Sequence, residues 1–536
     1  MPRNRSPVNL GLIFDWHAEQ ATQTVMHLDR PFDIEPDGGT VYDGARLAST
    51  VAAMAARLYA AGLRRDDRLV VVKDNHYDTV LVAAGAARIG ALPVMIGAIG
   101  SIETVGTMIR RADPAVLVIG ARFLDQAVRA GVDLTADDRR IVRIGTGETT
   151  PPAGVIPLDD LRDAPPVPPR ARADDEPMIV THSSGTTGVP KLVVHSAGTA
   201  IGAQARLESS RLPVVVSRRT DTVGSSISFA HFRVLSWTAG QLRLAPGKLL
   251  VIADHAPDQV ARFLDRHRPT TLEACPNIFQ RWEELADRKP ELFAGVRLYI
   301  STFDAIHPRT VRTFLGTSRR RMPLWAHGWG QSETGPLCST LFTRRSVRRR
   351  TKPLGVTNQV GWPLLCRVRV VDQGTGRGTG RRPGLLMAAT TGRCLDYLGE
   401  EDRHRAKIDG RWWNTGDLGQ RAGLFRYRLL DREVDMIPGA SCIELESVLL
   451  DRLETATEVV ILGVPGRLPV PVLAMRDNHL DPARWRAAVA DLPPLSDPRV
   501  VPWEDMPRTA TWKIRRLALR EQVLGTNEAI GTGRWT

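Results

Sequence analysis

Cysteine, lysine and long apolar runs are what this sequence has least of. Five cysteines occur in 536 residues: Cys275, Cys338, Cys366, Cys394 and Cys442. No two are spaced as CxxC, and their number is odd. A disulfide framework or a structural zinc site is therefore not expected, and a reducing, cytoplasmic setting is. The most apolar stretch, 80–100, is interrupted by Arg88 and Pro93. It reads as a buried helix followed by a buried strand, not as a membrane span. The first five residues carry charge with no long apolar region behind them, so no signal peptide is expected. Internal repeats are absent, as are helix-turn-helix, zinc-finger and RNA-binding signatures.

Lysine is scarcer still in proportion. Only 7 of the 72 basic residues are lysine, and the net charge of +13 rests on arginine spread along the chain. Such a spread reads as a composition bias. The denser runs, Arg319-Arg320-Arg321 and Arg344 to Lys352, read as solvated loops or as a site for an anionic ligand. Neither nucleic acid nor a membrane is expected as a partner.

Enough apolar residues are present, 43%, to bury a large core, and the length calls for two to four domains. Helical and strand patterns alternate early. The alanine-rich period over 45–63 predicts a helix, 68–72 a strand, 79–89 a helix and 116–119 a strand. That order predicts a parallel sheet with helices on its faces. A connector rich in Pro, Asp and Arg covers 151–176. Alternation resumes from Met178 to about 330, and 355–430 reads as short strands and turns. The run Gly374 to Gly380 fits GxGxxG only in letters and reads as a hairpin turn. The expected fold is α/β. Residues 1–430 form a large N-terminal domain of parallel and mixed sheets packed with helices, plus a β-rich subdomain. Residues 431–536 form a small, mobile C-terminal α+β domain, with Val459–Leu462 as one strand.

One loop carries chemistry. The short strand Met178-Ile179-Val180 leads into Thr181-His182-Ser183-Ser184-Gly185-Thr186-Thr187-Gly188-Val189-Pro190-Lys191. Glycines let backbone approach a ligand closely, consecutive hydroxyls and N–H groups suit phosphate oxygens, and Lys191 adds a point charge. The spacing is not that of Walker A.

This loop resembles the phosphate loop of the adenylate-forming superfamily, (S/T)SG(S/T)TGxPKG, which includes acyl- and aryl-CoA synthetases, adenylation domains and luciferases. Leu192 stands where the last glycine would be. The resemblance continues in order along the chain. Gly328-Trp329-Gly330-Gln331-Ser332-Glu333 is similar to GYGxTE, which implies adenine stacking by Trp329, α-phosphate contact by Ser332 and Mg²⁺ binding by Glu333. Trp413 to Leu418 is similar to WxxTGDL, and implies that Asp417 holds the ribose hydroxyls. Arg432 matches the arginine before the inter-domain hinge at 431–435. Pro507 to Ile514 is similar to PRTxxGKI. It implies that Lys513 bridges the acid and the α-phosphate and swings in on the small domain. Two of the seven lysines thus fall on motif lysines. ATP and Mg²⁺ are the cofactors implied.

The acid is read less directly. Ser228 to Ser236 is similar to the AHNxxLS stretch of aryl-acid-activating members, with His231 at the pocket histidine and Phe232 where asparagine reads hydroxybenzoates. Arg233 reads either as an anion contact or as a rim ion pair. The pocket turn (S/G)GGAPL is Ser301-Thr302-Phe303-Asp304-Ala305-Ile306 here, so Phe303 and Asp304, with Gly328, would shape a small pocket. After the hinge, Pro438 and a short turn replace the usual glycine-rich entry, and Trp512 replaces the glycine beside Lys513. These departures lie where coenzyme A or a carrier protein's arm would be accommodated. The expected activity is ATP-dependent adenylation of a small, aryl acid with release of pyrophosphate. Transfer to an acceptor such as coenzyme A follows. The alternative is a diazotase that adenylates nitrite for attack by an aromatic amine in secondary metabolism.

Overall fold

The computed structural model describes residues 6–97, 101–135, 139–183, 189–204, 208, 215–348, 358–424, 426–432, 437, 440–464, 466–509 and 511–525. The chain divides into two compact units. The first is Met1–Glu273, Ser332–Gly335 and Thr391–His404, and the second is Ala274–Gln331, Pro336–Thr390 and Arg405–Thr536.

The first unit is built on a mixed sheet of eight strands. Its middle is parallel: Arg68–Lys73 lies between Leu92–Gly97 and Val116–Gly120, and Pro177–His182 adds beyond Leu92–Gly97. Each parallel neighbour needs a crossover, and the helices Asp78–Ile89 and Ile102–Ala112 supply two. Because helices cover both faces, Val70, Val71 and Val72 are all buried and the strand reads as an unbroken apolar run. The stretch 80–100 accordingly splits. Its helix ends at Gly90, whose φ of 88° lets the chain turn at once into Leu92. Antiparallel pairing closes one edge: Leu192–Ser196 returns along Pro177–His182, and Asp396–Tyr397 adds outside it. Four further strands of this unit pair in the order Thr222–Ser226, Lys248–Val251, Val25–Leu28 and Val41–Asp43.

The second unit carries the strand-rich part of the chain. Leu298–Ser301 runs parallel to Leu324–Gln331. Arg367–Val371, Gly384–Ala389, Trp412–Gly423, Arg426–Arg432 and Gln359–Pro363 follow one another antiparallel. Residues 374–380 do lie in the connection of one such hairpin, between Val371 and Gly384. The expected boundary at 430/431 falls inside this unit. From Cys442 onward the chain nonetheless has a sheet of its own, Ala456–Leu462, Val470–Met475 and Arg499–Val500. Its two faces bury alternate residues. Val459 and Ile461 pack with Leu445 and Leu449, while Val460 and Leu462 pack with Ile514 and Leu519. That is why Val459–Leu462 is apolar throughout.

All five cysteines are free thiols, four of them buried. Among the described residues no helix is long and apolar enough to cross a membrane.

One close approach limits the first unit. A Cβ added to Gly11, on the helix Leu10–Glu19, would lie 2.4 Å from the backbone nitrogen of Arg88. The helix pair can touch only because no side chain stands there. Gly11→Ala is expected to destabilise by about 1–3 kcal/mol through forced separation. Gly316→Ala, whose Cβ meets nothing within 4 Å, should instead gain up to about 1 kcal/mol. Thermal unfolding of the two variants checks the pair.

Candidate active site

The sequence-predicted residues fall into two clusters, one in each unit. In the first unit the phosphate-loop hairpin is closed at its base. The Ser183 N–H donates to the Lys191 carbonyl at 2.9 Å, and the Lys191 N–H donates to Ser183 Oγ at 3.0 Å. Residues Ser184, Gly185, Thr186, Thr187 and Gly188 lie outside the described residues. The neighbouring His182 has a defined tautomer. Its Nε2 accepts from the Gly97 N–H at 2.9 Å, so Nδ1 carries the proton and donates to the Ser183 carbonyl at 2.8 Å. Burial holds its pKa below the ordinary histidine value.

At the same closure the Lys191 ammonium lies 3.1 Å from Glu333 Oε1. Tyr397, which sequence reasoning missed, joins them. Its hydroxyl donates to the same Oε1 at 2.7 Å, and Lys191 Nζ lies 3.4 Å from that hydroxyl and 5.0 Å above the ring. Tyr397 is wholly buried. Burial and then the Glu333 charge raise its pKa, so it stays a donor. The short strand Asp396–Tyr397 delivers it by pairing with Val193 and Val194 beside the loop.

Ser332, beside Glu333, sits in a chain of hydrogen bonds. His231 Nδ1 accepts from the Arg233 N–H at 3.1 Å, so the neutral ring donates from Nε2 to Ser332 Oγ at 3.3 Å. Ser332 Oγ in turn donates to the His182 carbonyl at 3.4 Å. From the opposite side His195 Nε2 donates to the Ser332 carbonyl at 2.7 Å, and Phe232 stacks on the His195 ring with centroids 4.2 Å apart. Burial lowers the pKa of His195 to about 4. Of the two expectations for Arg233, the ion pair is the one observed. Its guanidinium meets Glu273 bidentately at 2.7 and 2.8 Å and also bonds Glu208. Two carboxylates balance this cation, which leaves it poorly suited to recognise an anionic substrate.

In the second unit the strand Leu324–Gln331 carries the other motif residues. Trp329 Nε1 donates to Asp417 Oδ2 at 3.0 Å, and Gln331 Nε2 donates to the same oxygen at 3.1 Å. Gln331 is the second residue missed from sequence. It also donates to the Thr415 carbonyl at 2.5 Å and accepts from Trp413 Nε1 at 3.3 Å. A glutamine at the variable position of a motif gives no signal until the strands are paired. Asp417 is buried, and its backbone N–H is held by Thr415 Oγ1 at 3.1 Å. Strand pairing sets Arg432 opposite Asp417. Gly330 is exposed. Gly328 leaves room for Thr302, whose Cγ2 would lie 3.2 Å from an added Cβ. Phe303 follows with φ of 85°, in the left-handed region that favours glycine. Asp304 Oδ1 accepts the Ala305 N–H at 2.9 Å. Ser301 Oγ accepts from Trp325 Nε1 and bonds His327 Nδ1 at 2.9 Å. Burial lowers the His327 pKa to about 4; the Asp304 charge opposes that shift and the Lys513 charge adds to it.

Among the described residues no three His, Cys, Asp or Glu side chains gather as a metal site. A cation at Glu333 would have one protein carboxylate and complete its shell with phosphate oxygens and water. That is the usual arrangement for Mg²⁺ at a nucleotide, so the donor set fits the implied ion.

The family model described as "AMP-binding enzyme" matches residues 14–397. The 3-amino-2-hydroxy-4-methoxybenzoate diazotase of Streptomyces cremeus is 36% identical over 549 residues, covering 97% of each chain. The 4-hydroxybenzoate–CoA/benzoate–CoA ligase of Rhodopseudomonas palustris is 24% identical over 526 residues, covering 92% of this chain and 91% of its own. Among solved structures, an anthranilate CoA ligase in complex with anthranoyl-AMP superposes with a TM-score of 0.79 at 19% identity. It covers 97% of this chain and 98% of its own. The chain belongs to the AMP-binding enzyme family, within the adenylate-forming superfamily. It has that superfamily's α/β fold and is an AMP-forming, adenylating enzyme of a family that uses ATP.

Removing the Tyr397 hydroxyl leaves the buried Glu333 one donor short. Tyr397→Phe is expected to lower stability by about 1.5–3 kcal/mol, as for a hydrogen bond to a charged group, and to weaken ATP binding. Thermal unfolding and equilibrium dialysis with ATP check this. If neither changes, the hydrogen bond contributes nothing.

Proposed function

We propose that this enzyme is an ATP-dependent diazotase, which adenylates nitrite and passes the nitrosyl group to an aromatic amine. The observation that carries this reading is the 36% identity to a diazotase along 97% of both chains. The pocket residues are compatible with it. Arg233 is already ion-paired, and Phe303 stands in the pocket turn. Neither feature suggests a long or strongly anionic substrate.

The steps balance without any oxidant. A nitrite oxygen attacks the α-phosphorus, the α–β phosphoanhydride bond breaks, and pyrophosphate leaves. The amine nitrogen then attacks the nitrosyl nitrogen, the N–O bond to phosphate breaks with AMP as the leaving group, and the amine nitrogen gives up a proton to leave the N-nitrosamine. The N-nitrosamine loses a proton from nitrogen and gains one on oxygen, giving a diazohydroxide. Protonation and loss of water from it leave the diazonium ion.

Nitrite is a weak nucleophile approaching an anionic phosphate, so catalysis here is positioning plus charge neutralisation. In this reading Ser183 to Gly188 and Lys191 hold the β- and γ-phosphates. Lys513 bridges nitrite and the α-phosphate from a small domain at 431–536. Asp417 holds the ribose, Trp329 and Gly330 flank the adenine, and Ser332 touches the α-phosphate. His231, Gly328, Phe303 and Asp304 are the residues the motifs assign to the amine, and Arg432 marks the hinge. Pro438 and the hinge residues 433–436 lie outside the described residues. Mg²⁺ on Glu333 would supply further positive charge. The free cysteines fit a cytoplasmic enzyme, and the diazotase relative fits secondary metabolism. A second reading, an aryl acid–CoA ligase, is favoured by the 24% identical benzoate ligase.

The deciding assay measures AMP and pyrophosphate with nitrite, with aminoaryl acids, with both, and with coenzyme A added or withheld. AMP that requires nitrite and an amine, and is indifferent to coenzyme A, is the expected result. AMP formed from an aryl acid and coenzyme A without nitrite would overturn the proposal in favour of the ligase. Lys513→Ala should slow pyrophosphate release by about 10²-fold or more while ATP still binds. Unchanged turnover would remove the lysine's role.

A further inference from the structure

The turn that presents Lys513 is held by a cluster that nothing in the motif reading predicts. The Thr509 N–H donates to the Lys513 carbonyl at 2.8 Å, the Trp512 N–H donates to the Thr509 carbonyl at 2.9 Å, and Arg508 bridges Ile514. The turn is therefore tight, and Trp512 adopts φ of 63° within it. Tryptophan in the left-handed region is strained, and such strain persists only where neighbours over-determine it.

Three neighbours do so. Trp512 stacks on Trp503, centroids 5.9 Å apart and planes 15° from parallel. Arg508 Nη1 donates to the Trp512 carbonyl at 3.1 Å, and its guanidinium lies 4.1 Å from the Trp503 ring centroid. Arg508 is paired in turn with Glu458 at 3.0 Å, both side chains being 5% exposed. The cluster is also anchored to the helix Pro276–Arg281. Asn277 Nδ2 donates to Glu458 Oε2 at 2.9 Å, and the Arg281 guanidinium lies 4.7 Å from the Trp503 centroid. A buried ion pair of this kind adds little net stability compared with apolar packing, yet breaking it is costly. Its value here is geometric.

We propose that Trp503, Arg508 and Glu458 are positioning residues for Lys513, which they hold on the helix Pro276–Arg281 through the strained Trp512. The inference rests on the proposed role of Lys513 but not on the identity of the acid. In place of the flexible glycine of the related motif, this chain has a strapped turn.

The test reads Lys513 directly. Wild type, Trp503→Ala, Trp503→Phe and Glu458→Gln are treated with pyridoxal phosphate and borohydride, with and without ATP, and labelling at Lys513 is quantified by peptide mass. ATP affinity and thermal stability are measured alongside. ATP should protect Lys513 in wild type and in Trp503→Phe, which keeps an aromatic face. Trp503→Ala and Glu458→Gln should lose that protection while ATP affinity stays within about threefold. Pyrophosphate exchange, with whichever acid supports it in wild type, should fall by about 10²-fold, as for a small misplacement of a reacting group. Wild-type protection in Trp503→Ala and Glu458→Gln would overturn the proposal. So would parallel losses of stability and ATP affinity that Trp503→Phe does not restore, since those mark a merely structural role. Absence of protection in wild type would remove the role of Lys513 itself, and the inference with it.

Discussion

Glu333 is the constraint on which the first unit's cluster turns. A buried carboxylate is costly unless paired and hydrogen-bonded, and here it has both a cation and a phenol. Lys191 arrives from an antiparallel hairpin at the edge of a mixed sheet, and Tyr397 arrives from a strand that the same hairpin recruits. The charge thus orders two segments more than 200 positions apart in the chain. The phosphate loop is not a free appendage. Its base is tied twice, Ser183 to Lys191 through the backbone and Lys191 to Glu333 through the side chain.

The second unit applies the same economy to a different carboxylate. Asp417 Oδ2 takes two N–H donors from one strand, Trp329 and Gln331. The two bonds tie Leu324–Gln331 to Trp412–Gly423, a strand with which it is not paired. Ser332 and Glu333 follow Gln331 directly, so one continuous segment serves both clusters. A shift of Leu324–Gln331 by one residue would turn Trp329 and Gln331 to the opposite face.

Much of this was legible in the letters. The parallel strands were readable because burial on both faces leaves them apolar without alternation, as at Leu69 to Val72. The helix–strand split within 80–100 was marked by Arg88 and Pro93. The motif residues were readable because phosphate chemistry demands particular side chains in a local order. What escaped depends on distance along the chain. Tyr397 lies 64 positions from Glu333, and Gln331 lies 86 from Asp417. Neither has a local pattern that announces its partner. Arg233 was ambiguous for the same reason, because the carboxylates that balance it are 25 and 40 positions away. The strain at Trp512 was equally invisible, since a positive φ on a bulky residue is sustained by tertiary neighbours rather than by the residue itself.

The burial pattern of the tyrosines has a chemical corollary for an enzyme that would release aryl diazonium ions. Such electrophiles couple to phenolates and attack thiolates. This chain has six tyrosines, and only Tyr59 is substantially exposed. Burial raises the pKa of Tyr42, Tyr77, Tyr299, Tyr397 and Tyr427, so each stays a phenol. Four of the five thiols are enclosed as well, and the fifth, Cys366, is shifted up to about 11. Tyrosine and cysteine, the nucleophiles an aryl diazonium ion would modify, are accordingly almost absent from the described surface.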